Sequence, residues 1–220
     1  TSPGNSRKVI TVGSVTSWGD DDAANDIVST YSSRGPTRID RVAKPDLVAP
    51  GNRMISLKSK DSYLAKNEEE RLIAAPGKAT EEYMQLSGTS MSAAVVSGVV
   101  ALMLEKAPGL TPDTVKARLM ASASKDDLMA FESGAGYLDV AAALLETGET
   151  AAAPSPTATL ESNGTVTFED TVDLNADTWR TRQVDLVGIP DLYPDDPEPE
   201  YVDISALNIA AVTCQENNHI

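Results

Sequence analysis

One stretch constrains this chain more than any other: Leu86-Ser87-Gly88-Thr89-Ser90-Met91-Ser92-Ala93-Ala94, running straight into Val95-Val96-Ser97-Gly98-Val99-Val100-Ala101-Leu102-Met103-Leu104. A small polar turn that opens into so apolar a segment predicts a helix starting near Ser90. Val95, Val96, Val99, Val100, Leu102, Met103 and Leu104 leave it no wide polar face, so it is expected to be buried nearly all round. Ala94, Ser97, Gly98 and Ala101 make a ridge of small residues over which a neighbouring element can approach closely. Pro108-Gly109 ends the helix. A serine at such a start sits beside the unpaired N–H groups of the first turn and the positive end of the peptide dipoles. If its oxygen attacks a carbonyl, the oxyanion forms next to those donors. Gly88 gives the turn backbone freedom that a Cβ would remove. The competing reading is that Thr89 or Ser90 is only a helix N-cap.

Composition narrows the partners. The 220 residues carry 33 acidic against 18 basic side chains, a formal net charge of −15. That balance argues against nucleic acid and against an anionic membrane surface, and it suits an exported protein, extracellular or in the cell envelope. No run reaches the ~18 consecutive apolar residues of a membrane span. Cys214 is the only cysteine, which excludes an internal disulfide framework. The opening Thr1-Ser2-Pro3-Gly4-Asn5 is no signal peptide, and both ends read as the ends of a fragment.

Along the chain, Val9-Ile10-Thr11-Val12-Gly13-Ser14-Val15 predicts a buried parallel strand. The acidic turn at Asp20-Asp21-Asp22 is read as solvated rather than as a metal site. Ser32-Ser33-Arg34-Gly35-Pro36 is a turn, and Leu47-Val48-Ala49 a short strand within Lys44-Pro45-Asp46-Leu47-Val48-Ala49-Pro50-Gly51. Met54 to Leu57 is a further strand. Residues 57–83 are charged and read as a surface insertion with a short helix over 65–74. Thr111-Pro112-Asp113 is a helix start, with a cap, a proline at the first position and an acid in the first turn; Val115, Leu119, Met120 and Ala123 form its apolar stripe. Composition shifts at Thr147-Gly148-Glu149-Thr150-Ala151-Ala152-Ala153-Pro154-Ser155-Pro156, read as a linker. Beyond it, residues 165–168, 183–187 and 201–212 read as strands and 190–199 as loop.

Gly88-Thr89-Ser90-Met91 before a small-residue helix resembles the nucleophile motif of the subtilisin-like serine proteases, the subtilases. Three upstream blocks extend the likeness in the same order: the strand at 9–15, the Ser-x-x-Gly-Pro turn at 32–36 and the Pro-Asp-(apolar)-x-Ala-Pro-Gly block at 45–51. Gly134-Ala135-Gly136-Tyr137-Leu138-Asp139 resembles the segment that closes such domains. The resemblance implies an α/β fold: a parallel sheet with flanking helices in three layers, incomplete here, over residues 1–146. The linker at 147–156 and a small β-rich appendage at 157–220 then follow.

The same resemblance implies a serine endopeptidase acting on peptide or protein substrates through an acyl-enzyme on Ser90. A serine hydroxyl needs a base and an orienting carboxylate. In this family both precede the serine, so they are expected in a missing upstream half of the domain, together with the oxyanion asparagine. Neither an Asp-(Thr/Ser)-Gly block nor a His-Gly-Thr-His block occurs in this chain. The only histidine, His219, stands far beyond the linker, and Asn5 is read as a turn residue. Ala94 replaces the usual proline of the motif, a backbone rather than a chemical difference. No cofactor is implied for catalysis. Some subtilases hold structural calcium on main-chain carbonyls of the segment matching residues 4–9, which sequence does not decide. The alternative function is an inactive subtilase-like module kept for binding or scaffolding.

Overall fold

The computed structural model describes residues 2–20, 22–78, 80–124, 130–160, 165–169, 184–185, 201–204 and 210–213. In chain order these form β1 (Val12–Thr16), β2 (Ile27–Val28), β3 (Leu47–Pro50), β4 (Met54–Leu57), α1 (Tyr63–Asn67), β5 (Leu72–Ala74), β6 (Glu81–Leu86), α2 (Thr89–Lys106), α3 (Pro112–Ser122), α4 (Ala130–Ser133), α5 (Val140–Leu145), β7 (Thr157–Leu160), β8 (Thr165–Glu169), β9 (Val184–Asp185), β10 (Tyr201–Ile204) and β11 (Ala210–Thr213). Cys214, His219 and the loop reading at 190–199 fall outside the described residues.

The centre is a parallel pair. β1 and β3 run in register from Val12 opposite Leu47 to Val15 opposite Pro50, and β2 joins the other edge of β1 antiparallel. Strands covered on both faces need apolar side chains in both directions, which is why the two runs were legible. Leu47 and Ala49 point to one face and meet Val96, Val99 and Met103 of α2, Val115 and Leu119 of α3 and Ala143 of α5 in one core. This is an α/β arrangement, a parallel strand pair with helices packed against it.

α2 departs from the expectation. It buries a single stripe, Ser92, Val96, Val99 and Met103, and leaves Leu102 and Leu104 46% and 38% exposed. The small ridge faces outward: a Cβ on Gly98 would meet nothing within 4 Å. An apolar helix buries only the face that a neighbour covers, and β1, β3 and α5 cover one side of this one. The stretch 54–86, which includes the surface insertion read over 57–83, has a sheet of its own. It folds as an antiparallel sheet in the order β4-β6-β5, and its helix spans Tyr63–Asn67, capped by Ser62, with β5 where helix was expected.

α3 begins as its sequence dictates, with the Thr111 hydroxyl accepting from the Thr114 N–H. Its apolar stripe is buried, and so is Lys116, at 1% exposure.

The stretch read as a linker is a strap held against the domain. Arg118 donates to Gly148 O, Ala153 N–H to Asp113 and Ser155 N–H to Arg7 O. Ala43 N–H donates to Pro156 O and Ala158 N–H to Arg41 O, so β7 starts as a strand added beside residues 41–43. The Phe131 and Phe168 rings pack 5.5 Å apart. Alanine, serine and proline made this stretch look free because composition does not show distant acceptors. Limited proteolysis should therefore spare residues 153–158 and cut first in the exposed 59–71 region, around Lys60, Lys66 and Arg71. Mass mapping that finds early cuts within 153–158 would refute the strap.

Candidate active site

β6 delivers the chain to Ser87 and Gly88, and α2 starts at Thr89. Gly88 has φ +156°, and a Cβ there would touch nothing nearer than Met91 Sδ at 3.5 Å, so its constraint is conformational rather than steric. The amides of Met91 and Ser92 turn back onto Gly88 O at 3.0 and 3.4 Å. The Ser90 amide and the Ser90 hydroxyl have no hydrogen-bond partner among the described residues, and the side chain is exposed. Ser90 thus presents an accessible hydroxyl beside an unpaired N–H on a helix whose opposite stripe is fixed in the core. Thr89 is the first helical residue and Gly88 the cap, so Ser90 does not cap this helix.

The turn is backed by Gly51. Gly51 O accepts from Gly88 N–H at 2.9 Å and Gly51 N–H donates to Val15 O at 3.1 Å, which joins the turn before Ser90 to the parallel sheet. The Tyr31 hydroxyl also donates to Gly51 O. A Cβ on Gly51 would collide with the hydroxyls of Ser92 and Ser14 and lie 2.8 Å from Gly88 O. Ser92 is fully buried and its hydroxyl has no partner among the described residues. Around it, Ser14 contacts Ser29 and Tyr31, each at 3.1 Å, and Ser32 Oγ accepts from Ser14 N–H. Ser32 and Gly35 of the Ser-x-x-Gly-Pro turn therefore act in packing: a Cβ on Gly35 would run into the Lys44 main chain.

Two substitutions follow. Gly51→Ala should cost about 1–3 kcal/mol, because one of its close neighbours, Gly88 O, is main chain and cannot swing away. Ser92→Ala should be close to neutral or stabilising by up to about 1 kcal/mol, since it removes an unsatisfied hydroxyl. Chemical denaturation of both variants checks the pair; a neutral Gly51→Ala refutes the close approach.

A second polar cluster lies at the other end of β3. Asp46, with its side chain fully buried, accepts from Lys44 Nζ at 2.7 Å, from Thr11 N–H at 2.7 Å and from the Ser155 hydroxyl at 2.5 Å. Lys44 and Thr11 reach Oδ2, and Lys116 Nζ stands 3.3 Å from Oδ1, the oxygen that Ser155 also reaches. Burial lowers both lysines despite the carboxylate, Lys116 to about 8, so Lys116 keeps its proton at neutral pH. Sequence reasoning missed this cluster; its one signal was a lysine inside the apolar stripe of α3. Elsewhere, burial raises Asp26 above the usual carboxylate range, and burial and its bond to Asp26 raise Tyr137.

No histidine occurs among the described residues, and no group of three or more His, Cys, Asp or Glu there is placed to hold a metal. Asp22 caps the turn at Ala24. Asn5 lies in a turn, as read from sequence.

Comparison with known proteins bears on this geometry. The family model described as the Subtilase family matches residues 1–137. Serine protease AprX of Bacillus subtilis is 42% identical over 115 residues, which cover 52% of this chain and 24% of that protein. An uncharacterized protein of Aquifex aeolicus is 35% identical over 150 residues, 67% of this chain and 64% of the relative. Among solved structures, fervidolysin from Fervidobacterium pennivorans, a keratinolytic enzyme related to subtilisin, superposes with a TM-score of 0.52 at 27% identity, covering 66% of this chain and 20% of that one. The chain thus spans about a quarter of the length of AprX and a fifth of fervidolysin.

Proposed function

Because the chain belongs to the subtilase family, we propose that it carries the nucleophile of a serine endopeptidase, Ser90. One observation supports this most: the serine of the Gly-Thr-Ser-Met motif is exposed at the start of a core-anchored helix, with its hydroxyl and its own amide both free among the described residues. In this reading Ser90 Oγ attacks the scissile carbonyl of a peptide or protein substrate. Its proton passes to a histidine, which an aspartate orients, and then to the leaving amine. The Ser90 N–H, with an asparagine, receives the oxyanion. Water then hydrolyses the acyl-enzyme and restores the hydroxyl. The histidine, aspartate and asparagine belong to an upstream half of the same domain, which packs on the outward small-residue face of α2. Residues 1–146 form the peptidase part and 157–220 a β-rich appendage, and the intact protein works outside the cytoplasm, with no nucleic-acid or membrane partner.

A peptidase assay on this chain alone, beside the same chain joined to its coding-sequence upstream segment, tests the reading. Hydrolysis is expected only in the joined protein, since base and oxyanion donor are needed together. Activity in neither, with an upstream segment that lacks Asp and His motifs, would favour the binding or scaffold module instead.

A further inference from the structure

The carbonyls that hold calcium in some subtilases are engaged differently here. In the segment matching that site, Gly4 O accepts from the Thr11 hydroxyl at 2.7 Å. Arg7 O accepts from Lys116 Nζ at 2.7 Å and from Ser155 N–H at 2.7 Å. Val9 O accepts from Lys116 Nζ at 3.0 Å and from Lys44 Nζ at 3.1 Å. Two ammonium groups thus meet one carboxylate, Asp46, in an interior where lysine side chains are 1% and 7% exposed. A calcium ion needs six to eight oxygens, several of them anionic. This donor set has its carbonyls taken and its net charge already positive, so it does not fit one.

We propose that the Lys116 ammonium is a built-in cation: it takes the place of a structural metal ion, and Ser155 completes its oxygen shell and fastens the strap to the parallel sheet. Around Nζ stand Arg7 O, Val9 O, Ser155 Oγ at 2.7 Å and Asp46 Oδ1 at 3.3 Å, a cage of four oxygens drawn from three separate parts of the chain. A metal ion in such a cage would tie those parts together only while bound. A lysine does so permanently, because the charge arrives on a covalent stem from α3. Ser155 has no other role in view: it is fully buried, its N–H and Oγ both reach Arg7 O, and its hydroxyl donates to Asp46.

The test reads the cage locally, by hydrogen exchange at the amides of Thr11, Asp46 and Ser155, which donate to Asp46 Oδ2, Thr11 O and Arg7 O. In the wild-type protein, excess chelator and millimolar calcium chloride should both leave these rates unchanged. Lys116→Met should speed them by about tenfold or more and open residues 153–158 to protease. Should that variant not fold, Ser155→Ala takes its place: it should speed exchange at Thr11 and Asp46 and loosen the strap while calcium still has no effect. Slower exchange at these three amides on adding calcium to the wild type would overturn the proposal. So would unchanged rates in whichever variant is read.

Discussion

Ser90→Ala, made in the joined protein, should lower kcat by about 10⁵–10⁶ on a peptide substrate while leaving the fold intact. In subtilisin, the reference case for this triad, losing the serine costs about 2 × 10⁶ in kcat, and the residual rate comes from binding and the oxyanion donors. The fold is expected to survive because the Ser90 side chain is exposed and its hydroxyl bonds to nothing among the described residues. Surface trimming of that kind stays within about 0.5 kcal/mol. KM should move little, since the hydroxyl acts on the reacting carbonyl rather than in general binding. Two neighbours are internal controls. Ser87 accepts from Arg53 N–H at 2.9 Å and Ser92 is the buried orphan, so alanine at either should cost far less turnover. Steady-state kinetics and thermal midpoints on the three variants decide it: near-wild-type turnover in Ser90→Ala removes Ser90 as nucleophile.

Asp46→Ala should be the most damaging single change to the fold, at about 3–5 kcal/mol. A buried ion pair adds little net stability against an apolar replacement, but deleting one partner strands the other's charge. Here one deletion strands two ammonium groups, Lys44 at 2.7 Å and Lys116 at 3.3 Å, together with the Thr11 amide and the Ser155 hydroxyl. Against a typical total of about 5–15 kcal/mol, that is a large share. Asp46→Asn keeps the volume and part of the hydrogen bonding, so it should cost less than alanine but still more than about 1 kcal/mol. Denaturant titration measures both. A loss below about 1 kcal/mol for alanine would mean that the lysines find water on release, contrary to the closed cage.

What the sequence disclosed and what it hid divide along physical lines. The start of α3 was readable because capping is local: Thr111, Pro112 and Asp113 act within one turn. β1 and β3 were readable because Val12, Val15, Leu47, Val48 and Ala49 form short apolar runs, although β1 also buries the hydroxyls of Ser14 and Thr16. The motif around Ser90 was readable because its residues are contiguous. The exposure of α2 was hidden, since an apolar surface records what it prefers and not what is there to cover it. Lys116 and Ser155 were hidden because their partners at Arg7, Val9 and Asp46 lie 39 to 148 positions away along the chain, counting their mutual contact. Gly51 stood in the sequence only as the last residue of the 45–51 block; its meaning needed Ser92 and Gly88 brought against it in space.

The bond between Gly88 N–H and Gly51 O has one more consequence. With Arg53 N–H donating to Ser87 Oγ, it closes the neck of an excursion that leaves the parallel sheet after β3 and returns just before Ser90. Everything between, from β4 to β6, hangs from that neck as a self-paired sheet. The excursion is therefore a module. Its far end, around 58–71, is free to lengthen, shorten or be exchanged between proteins without moving the serine, because the geometry at Ser90 is set at the clasp and not by the length of what hangs from it.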